Sequence, residues 1–204
     1  MASAISTSSE PPHGQCASGF GQPQSASHRL RLFLAVWPGE ATHKKLRAAQ
    51  SALQQQVAGR PVKPALWHLT LAFLGDVPAQ RLTALTTALA PLARQHAALC
   101  LHFNRCGSWR NGIGYLAPAH TPASLLALVH AIRQQLHVCG IASDSRHYTP
   151  HLTLLRHTRE VLAPQPVPAI DYRLDHLALV QSTLGPHGAH YRQLARWPLG
   201  HSQT

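Results

Sequence analysis

The run His-Leu-Thr-Leu occurs twice in this chain. Residues 67–75 read WHLTLAFLG and residues 150–158 read PHLTLLRHT, so the two copies begin at His68 and His151. Side chains alternate faces along a β-strand, and residues i and i+2 share one face. His68 and Thr70 are therefore expected on one side of a strand, with Leu69, Leu71 and Phe73 packed on the other. His151 and Thr153 repeat the pattern, with Leu152 and Leu154 opposite. Each copy offers an imidazole beside a hydroxyl on a strand anchored by leucines. Facing each other, one imidazole accepts a proton while the other, protonated, donates one. Histidine suits both tasks because its ordinary pKa lies near neutrality. The hydroxyls and nearby cations would hold phosphoryl oxygens between them. The combination describes metal-free phosphodiester chemistry, with a histidine on each side of phosphorus. A single His-Leu-Thr-Leu is an ordinary half-buried strand. Two copies in one register, each led in by a helix, are hard to ascribe to packing. A metal-binding histidine pair is the competing chemistry, and it lacks an evident third ligand.

The elements that must position these residues follow from periodicity. Residues 29–36, RLRLFLAV, alternate as a strand ended by Pro38. Residues 40–58 carry apolar side chains near helical spacing, with Glu40 in the first turn and Gly59 as a stop. Residues 78–95 read as a second helix that Pro91 should kink or end. Two strands follow, joined by a turn at Arg110-Asn111-Gly112. Residues 122–138 give the clearest helix, with Thr121 as N-cap, Pro122 at the first position and Gly140 as the stop. The second His-Leu-Thr-Leu strand comes next, then a Pro-rich link, LAPQPVPAI. Two final strands, DYRLDHLALVQS and HYRQLARWPL, are separated by the turn GPHG. Helix-then-strand occurs twice. This predicts an α+β fold of two related lobes, in which two antiparallel sheets form a central cleft and the helices lie outside.

Composition narrows the partners. The 204 residues include 18 Lys plus Arg against 7 Asp plus Glu, a formal charge of +11. That balance favours RNA or other phosphate-bearing partners, although basic drift without a nucleic-acid role gives the same count. The four cysteines, Cys16, Cys100, Cys106 and Cys139, have no C-x-x-C spacing and fit reduced thiols of a cytoplasmic protein. With so few carboxylates, hard-cation sites are poorly supplied, and no metal or cofactor is expected. No apolar run is long enough for a bilayer, and no membrane association is expected. Residues 1–27 are rich in Ser, Gly, Pro and Gln and lack the apolar stretch of a secretory signal. They are expected to form a disordered tail ahead of one bilobal domain over residues 28–200, with residues 201–204 as a short end.

HLTLAFLG and PHLTLLR, with RLFLAVWP before them and LARWPL after, resemble the two-histidine (2H) phosphoesterase superfamily. The likeness is to the bacterial RNA 2′,3′-cyclic phosphodiesterase family, also called LigT-like or 2′-5′ RNA ligase. It spans about residues 29–200. The resemblance implies that His68 donates a proton to the leaving 3′ oxygen and His151 accepts one from the attacking water. It implies that Thr70, Thr153 and Arg156 hold the phosphate. The expected substrates are RNA ends or tRNA fragments carrying a 2′,3′-cyclic phosphate, and the product is a 2′-phosphomonoester. Run backwards, the same site would join ends through a 2′-5′ linkage without ATP. Arg156 lies five residues after His151, so strict alternation puts it on the wrong face unless the strand ends or bulges near Leu155. The family commonly has a smaller apolar residue where this chain has Trp67, and Asn where it has Ala65. Lys63, Arg146 and Tyr148 are further candidate substrate contacts, with His147 beside them. For Trp109, packing is favoured over base stacking. A monomer with no obligatory protein partner is expected. The reading of a different class is a basic RNA-binding module that keeps the cleft without turnover.

Overall fold

The computed structural model describes residues 28–144, 146–186 and 188–200. The expected tail at 1–27 and the end at 201–204 lie outside the described residues. Nine strands and three α-helices run in the order β1 (Arg29–Val36), α1 (Glu40–Gln54), β2 (Arg60–Pro61), β3 (Leu69–Pro78), α2 (Leu82–Gln95), β4 (Leu99–Ser108), β5 (Ile113–Pro118), α3 (Ala123–Val138), β6 (Leu152–Arg156), β7 (Gln165–Leu174), β8 (His176–Gly185) and β9 (Gly188–Pro198). None of the helices is long and apolar enough to cross a membrane.

All named strands belong to one antiparallel sheet in the order β7-β4-β5-β6-β3-β1-β8-β9, with β2 paired to β6 off this path. The sheet has two four-stranded halves, β7-β4-β5-β6 and β3-β1-β8-β9. They meet at a single residue pair, Leu69 with Leu152. The two lobes of the sequence reading are these halves, joined edge to edge. The repeat is strand–helix–strand, β1-α1-β3 and β5-α3-β6. Each of its helices packs on the opposite half: α1 on β6 and β7, α3 on β3. Leu46 and Leu53 of α1 and Leu125, Leu128, Ile132 and Leu136 of α3 are fully buried in one core with Leu69, Leu71, Leu152 and Leu154.

Beyond the Leu69–Leu152 pair the central strands part, because other backbone occupies the edge of β6. Val62 donates its N–H to the Leu154 carbonyl at 2.9 Å. Arg60 and Pro61 pair with Arg156 and Leu155. Gly59 lets the chain pass this closely, since a Cβ there would lie 2.9 Å from Thr158 Cγ2 and 3.3 Å from Leu155 Cβ. Helix α1 accordingly stops at Gln54, earlier than the expected 58, and Val57 turns into the core.

Four other expectations change. Pro91 does not end α2, which continues to Gln95. The carbonyl deprived of its donor is that of Thr87 on an exposed turn, while Leu89, Leu92 and Ala93 are buried and hold the helix down. Much of the Pro-rich link is strand β7. It is the sheet's edge strand, where the missing N–H groups of Pro166 and Pro168 are tolerated. DYRLDHLALVQS spans two strands: at Asp175 the extended chain leaves β7 in one half and enters β8 in the other. Helix α3 starts at Ala123 with Pro122 as its N-cap, one residue later than expected.

Trp67 is fully buried, its ring 5.6 Å from that of His43 on α1. It packs away from the cleft and roots the segment that carries His68. Trp67→Ala is expected to cost ~3–5 kcal/mol of unfolding free energy. Urea denaturation checks this, and a loss under about 1 kcal/mol would contradict a core role.

Candidate active site

His68 and His151 each stand immediately ahead of a strand and flank the Leu69–Leu152 pair. Each ring is held the same way. His68 Nδ1 lies 2.7 Å from the Leu66 carbonyl and His151 Nδ1 lies 2.8 Å from the Thr149 carbonyl. A carbonyl accepts only, so Nδ1 carries the proton in both rings and Nε2 is left for chemistry. The Leu66 carbonyl is aimed by a short 3₁₀ turn, Pro64–Leu66.

Both rings are half-buried among aromatics. His68 stacks on Trp37 with centroids 5.3 Å apart and also meets Phe33 at 5.1 Å and Tyr191 at 5.3 Å. Trp109 presents its edge to His151 at 4.8 Å and stacks on Tyr115 at 4.2 Å. Burial disfavours the imidazolium and pushes His68 down to about 4. Arg156 and His151 push the same way, and the Leu66 carbonyl opposes them. Burial also lowers His151, and Arg156 adds to the shift against the Thr149 carbonyl. Arg156 therefore acts on both histidines.

A β-bulge makes that reach possible. In the β5–β6 register Tyr115 faces Thr153 and Gly114 faces Leu155, so Leu154 is the extra residue. One extra residue reverses the alternation, and Arg156 emerges on the face of His151 and Thr153. The bulged carbonyl is satisfied twice, by Val62 N–H and by the Gln50 side-chain amide at 2.8 Å, which also bonds the Val62 carbonyl at 2.9 Å. The first copy carries the same device. Register shifts in β1–β3 leave Leu71 and Leu74 as extra residues. Phe73, expected in the core, is instead 55% exposed, its ring 6.3 Å from that of Phe33. Leu71 and Leu154 are each the third residue after their histidine.

The cleft between the halves has a volume of about 610 Å³. His68, Thr153, Arg156 and Lys63 line it, together with Arg60, Trp37 and Tyr191, which sequence reasoning missed. Arg60 was legible only as a cation near the first motif, and its pairing with Arg156 is tertiary. Thr70 stands two residues past His68, and its carbonyl accepts the Tyr148 hydroxyl at 3.0 Å. Tyr148 is thus a tie between the halves, and its hydroxyl is engaged with backbone instead of being open to substrate. Arg146 does not line the cleft. Its guanidinium is clamped on Asp144 at 2.9 Å and its carbonyl is held by Arg133. His147 is exposed and also absent from the lining. Cys100, His102 and Asp171 place ligand atoms within 4.8 Å of one another, but on the exposed surface of β4 and β7, apart from the cleft histidines.

His151 and Thr70 are not in the cleft lining, but both neighbour it: Thr70 follows His68 on β3, and Arg156 acts on both rings. Two neighbouring imidazoles that each keep Nε2 for chemistry, with a guanidinium acting on both, can perform acid–base chemistry at a phosphoryl centre. Comparison with known proteins agrees. Residues 36–115 match the family model described as LigT like Phosphoesterase. The chain is 35% identical over 176 residues to the RNA 2′,3′-cyclic phosphodiesterase of Escherichia coli (strain K12), covering 85% of this chain and 98% of that one. It is 28% identical over 188 residues to the protein of that name from Thermus thermophilus, covering 83% and 90%. The crystal structure of E. coli LigT complexed with 3′-AMP superposes with a TM-score of 0.75 at 29% identity, covering 84% of this chain and 99% of that one. The chain belongs to the LigT-like phosphoesterase family.

The electrostatics carry a test. With its pKa near 4, His68 should stay neutral in the free protein through most of the acidic range. Removing the guanidinium in Arg156→Ala should raise both imidazoles toward their ordinary value. NMR titration of the two rings measures this. A His68 that titrates at or above pH 6.5 in the free protein would contradict it.

Proposed function

We propose that this protein hydrolyses 2′,3′-cyclic phosphate ends of RNA to 2′-phosphomonoesters by metal-free two-histidine catalysis. The observation that carries the reading is the matched pair of imidazoles, each fixed through Nδ1, flanking one strand pair with Arg156 beside both. The names borne by the related proteins support the same substrate class.

In the proposed mechanism Arg156, Thr153 and Thr70 hold the phosphoryl oxygens, with Lys63 and Arg60 at the rim. His151 Nε2 takes a proton from water as the water oxygen bonds to phosphorus. The bond from phosphorus to the 3′ oxygen breaks, and His68 Nε2–H protonates that oxygen. The 2′ ester bond survives, so the phosphate stays on the 2′ oxygen. His68 must be charged to act as the acid, yet burial and the nearby Arg156 guanidinium oppose its charging. The anionic phosphodiester supplies the missing counter-charge, so His68 gains its proton as the substrate binds. The reverse reaction would form a 2′-5′ linkage at the same site. We place the activity in the cytoplasm, in a monomer. In support of the cytoplasm, Cys100, Cys106 and Cys139 are free thiols.

The test is incubation with a nucleoside 2′,3′-cyclic phosphate in EDTA, followed by identification of the product. The expected product is the 2′-phosphate, at a rate that EDTA does not change. His68→Ala and His151→Ala should each reduce the rate about 10²–10⁴-fold. The pH profile of kcat/KM should be bell-shaped with its maximum below 6.5, because both imidazoles are lowered in the free protein. Absence of product, full activity in either variant, or loss of activity in EDTA would each reject the mechanism.

A further inference from the structure

Phe73 is a large aromatic on the cleft side of the sheet, more than half exposed, and the proposed chemistry does not use it. It is the first copy's counterpart of Arg156, the fifth residue after its histidine, turned to the same side by an equivalent bulge. It does not stand alone. His68, Phe33 and Phe73 form a row, with Phe33 5.1 Å from His68 and 6.3 Å from Phe73. Phe33 is buried and Phe73 open, so the row begins inside the cleft and ends at solvent.

The same face continues into charge. Strand β1 is unbulged: Leu30, Leu32, Leu34 and Val36 enter the main core, while Phe33 and Ala35 face the cleft side. Arg31 and Arg29 share that parity and are exposed. Arg31 makes no ion pair or side-chain hydrogen bond among the described residues, and Arg29 donates to the Asp76 carbonyl. The acid facing them is Asp76, opposite Arg31 in the register. The order along the face is therefore imidazole, two phenyl rings, then two guanidiniums. Open aromatic faces beside guanidiniums bind unpaired nucleotides by stacking and by phosphate contact.

We propose that this face of β1 and β3 is the track for the single-stranded RNA 5′ of the reacting end. Phe73 stacks an upstream base, and Arg31, with Arg29, contacts the phosphates beyond it. The inference rests on the reading of the cleft as an RNA-end site. It adds that the substrate is an oligonucleotide gripped without sequence preference, since every base has a face to stack.

The experiment has a binding arm and a turnover arm. In the first, fluorescence anisotropy follows a labelled tetraribonucleotide ending in a 3′-phosphate. Phe73→Ala should weaken its binding roughly five- to hundred-fold, and Phe73→Trp should retain it. Arg31→Gln should weaken it less and reduce the slope of log affinity against log salt by about 0.7. Because Phe73 and Arg31 are exposed, these variants should fold, and circular dichroism checks that they do. In the second arm, a tetranucleotide with a 2′,3′-cyclic end is compared with a mononucleoside 2′,3′-cyclic phosphate. Phe73→Ala should lower the ratio of their kcat/KM values by a similar factor. Unchanged tetranucleotide affinity in Phe73→Ala overturns the track. So does an equal loss on both substrates, which would mean that Phe73 acts by supporting Phe33 and His68. If the wild type turns over neither substrate, the proposed function fails, while the binding arm still decides the track.

Discussion

The site depends on one pairing, Leu69 with Leu152, where the two halves of the sheet touch. Both side chains are fully buried, so the pair lies at the centre of the core. Each leucine directly follows one of the two motif histidines, and joining the leucines brings the histidines together. Two tyrosines strengthen the junction. Tyr148, ahead of β6, donates to the Thr70 carbonyl, and Tyr172 of β7 donates to the Val36 carbonyl at 2.6 Å. Val36 is itself the register partner of Leu69. The ties converge on the backbone around one histidine and span both halves. A cleft between lobes usually implies freedom to flex; here its floor is anchored.

Above that floor the halves must diverge, or no substrate would fit. The chain achieves this by giving the edge of β6 to residues 60–62, which take the hydrogen bonds that β3 would otherwise continue. The same intrusion fixes the Leu154 bulge through the Val62 N–H and the Gln50 amide. Opening the cleft and turning Arg156 into it are thus one structural event. The first copy bulges at the equivalent place, but its fifth residue is phenylalanine. The duplicated strand supplies a cation on one side of the site and a stacking surface on the other.

The charge pattern follows from this geometry. The His68 imidazole and the Arg156 guanidinium line a cleft with no carboxylate among its described residues, and the His151 ring stands close enough for Arg156 to act on both histidines. Such a site favours neutral histidines when empty and welcomes an anion. Donating both Nδ1–H groups to backbone carbonyls, instead of to acids, keeps the rings oriented without adding negative charge that would repel phosphate. The protein's formal +11 works in the same direction at long range.

Much of this was legible in sequence because it rests on local period. The alternation of His and Thr against Leu marks the two strands and their chemical faces, and helical spacing marks the three helices. The doubled motif announces the pairing of its histidines before any geometry is known. What sequence could not decide is whatever depends on counting past a bulge or on contacts between distant segments. Strict alternation sends Phe73 into the core and Arg156 away from the site, and the extra residues at Leu71 and Leu154 reverse both. Arg146 and Tyr148 looked available for substrate by proximity in the chain, but Asp144 and the Thr70 carbonyl engage them. Trp37, Arg60 and Tyr191 reach the cleft from three separate elements or their ends, so no local window reveals them. The sequence by itself determined which groups are candidates for the chemistry, since residue type and period are local. The tertiary structure decided which way they point and what stands beside them, because bulges and long-range pairings set the parity of every strand that lines the site.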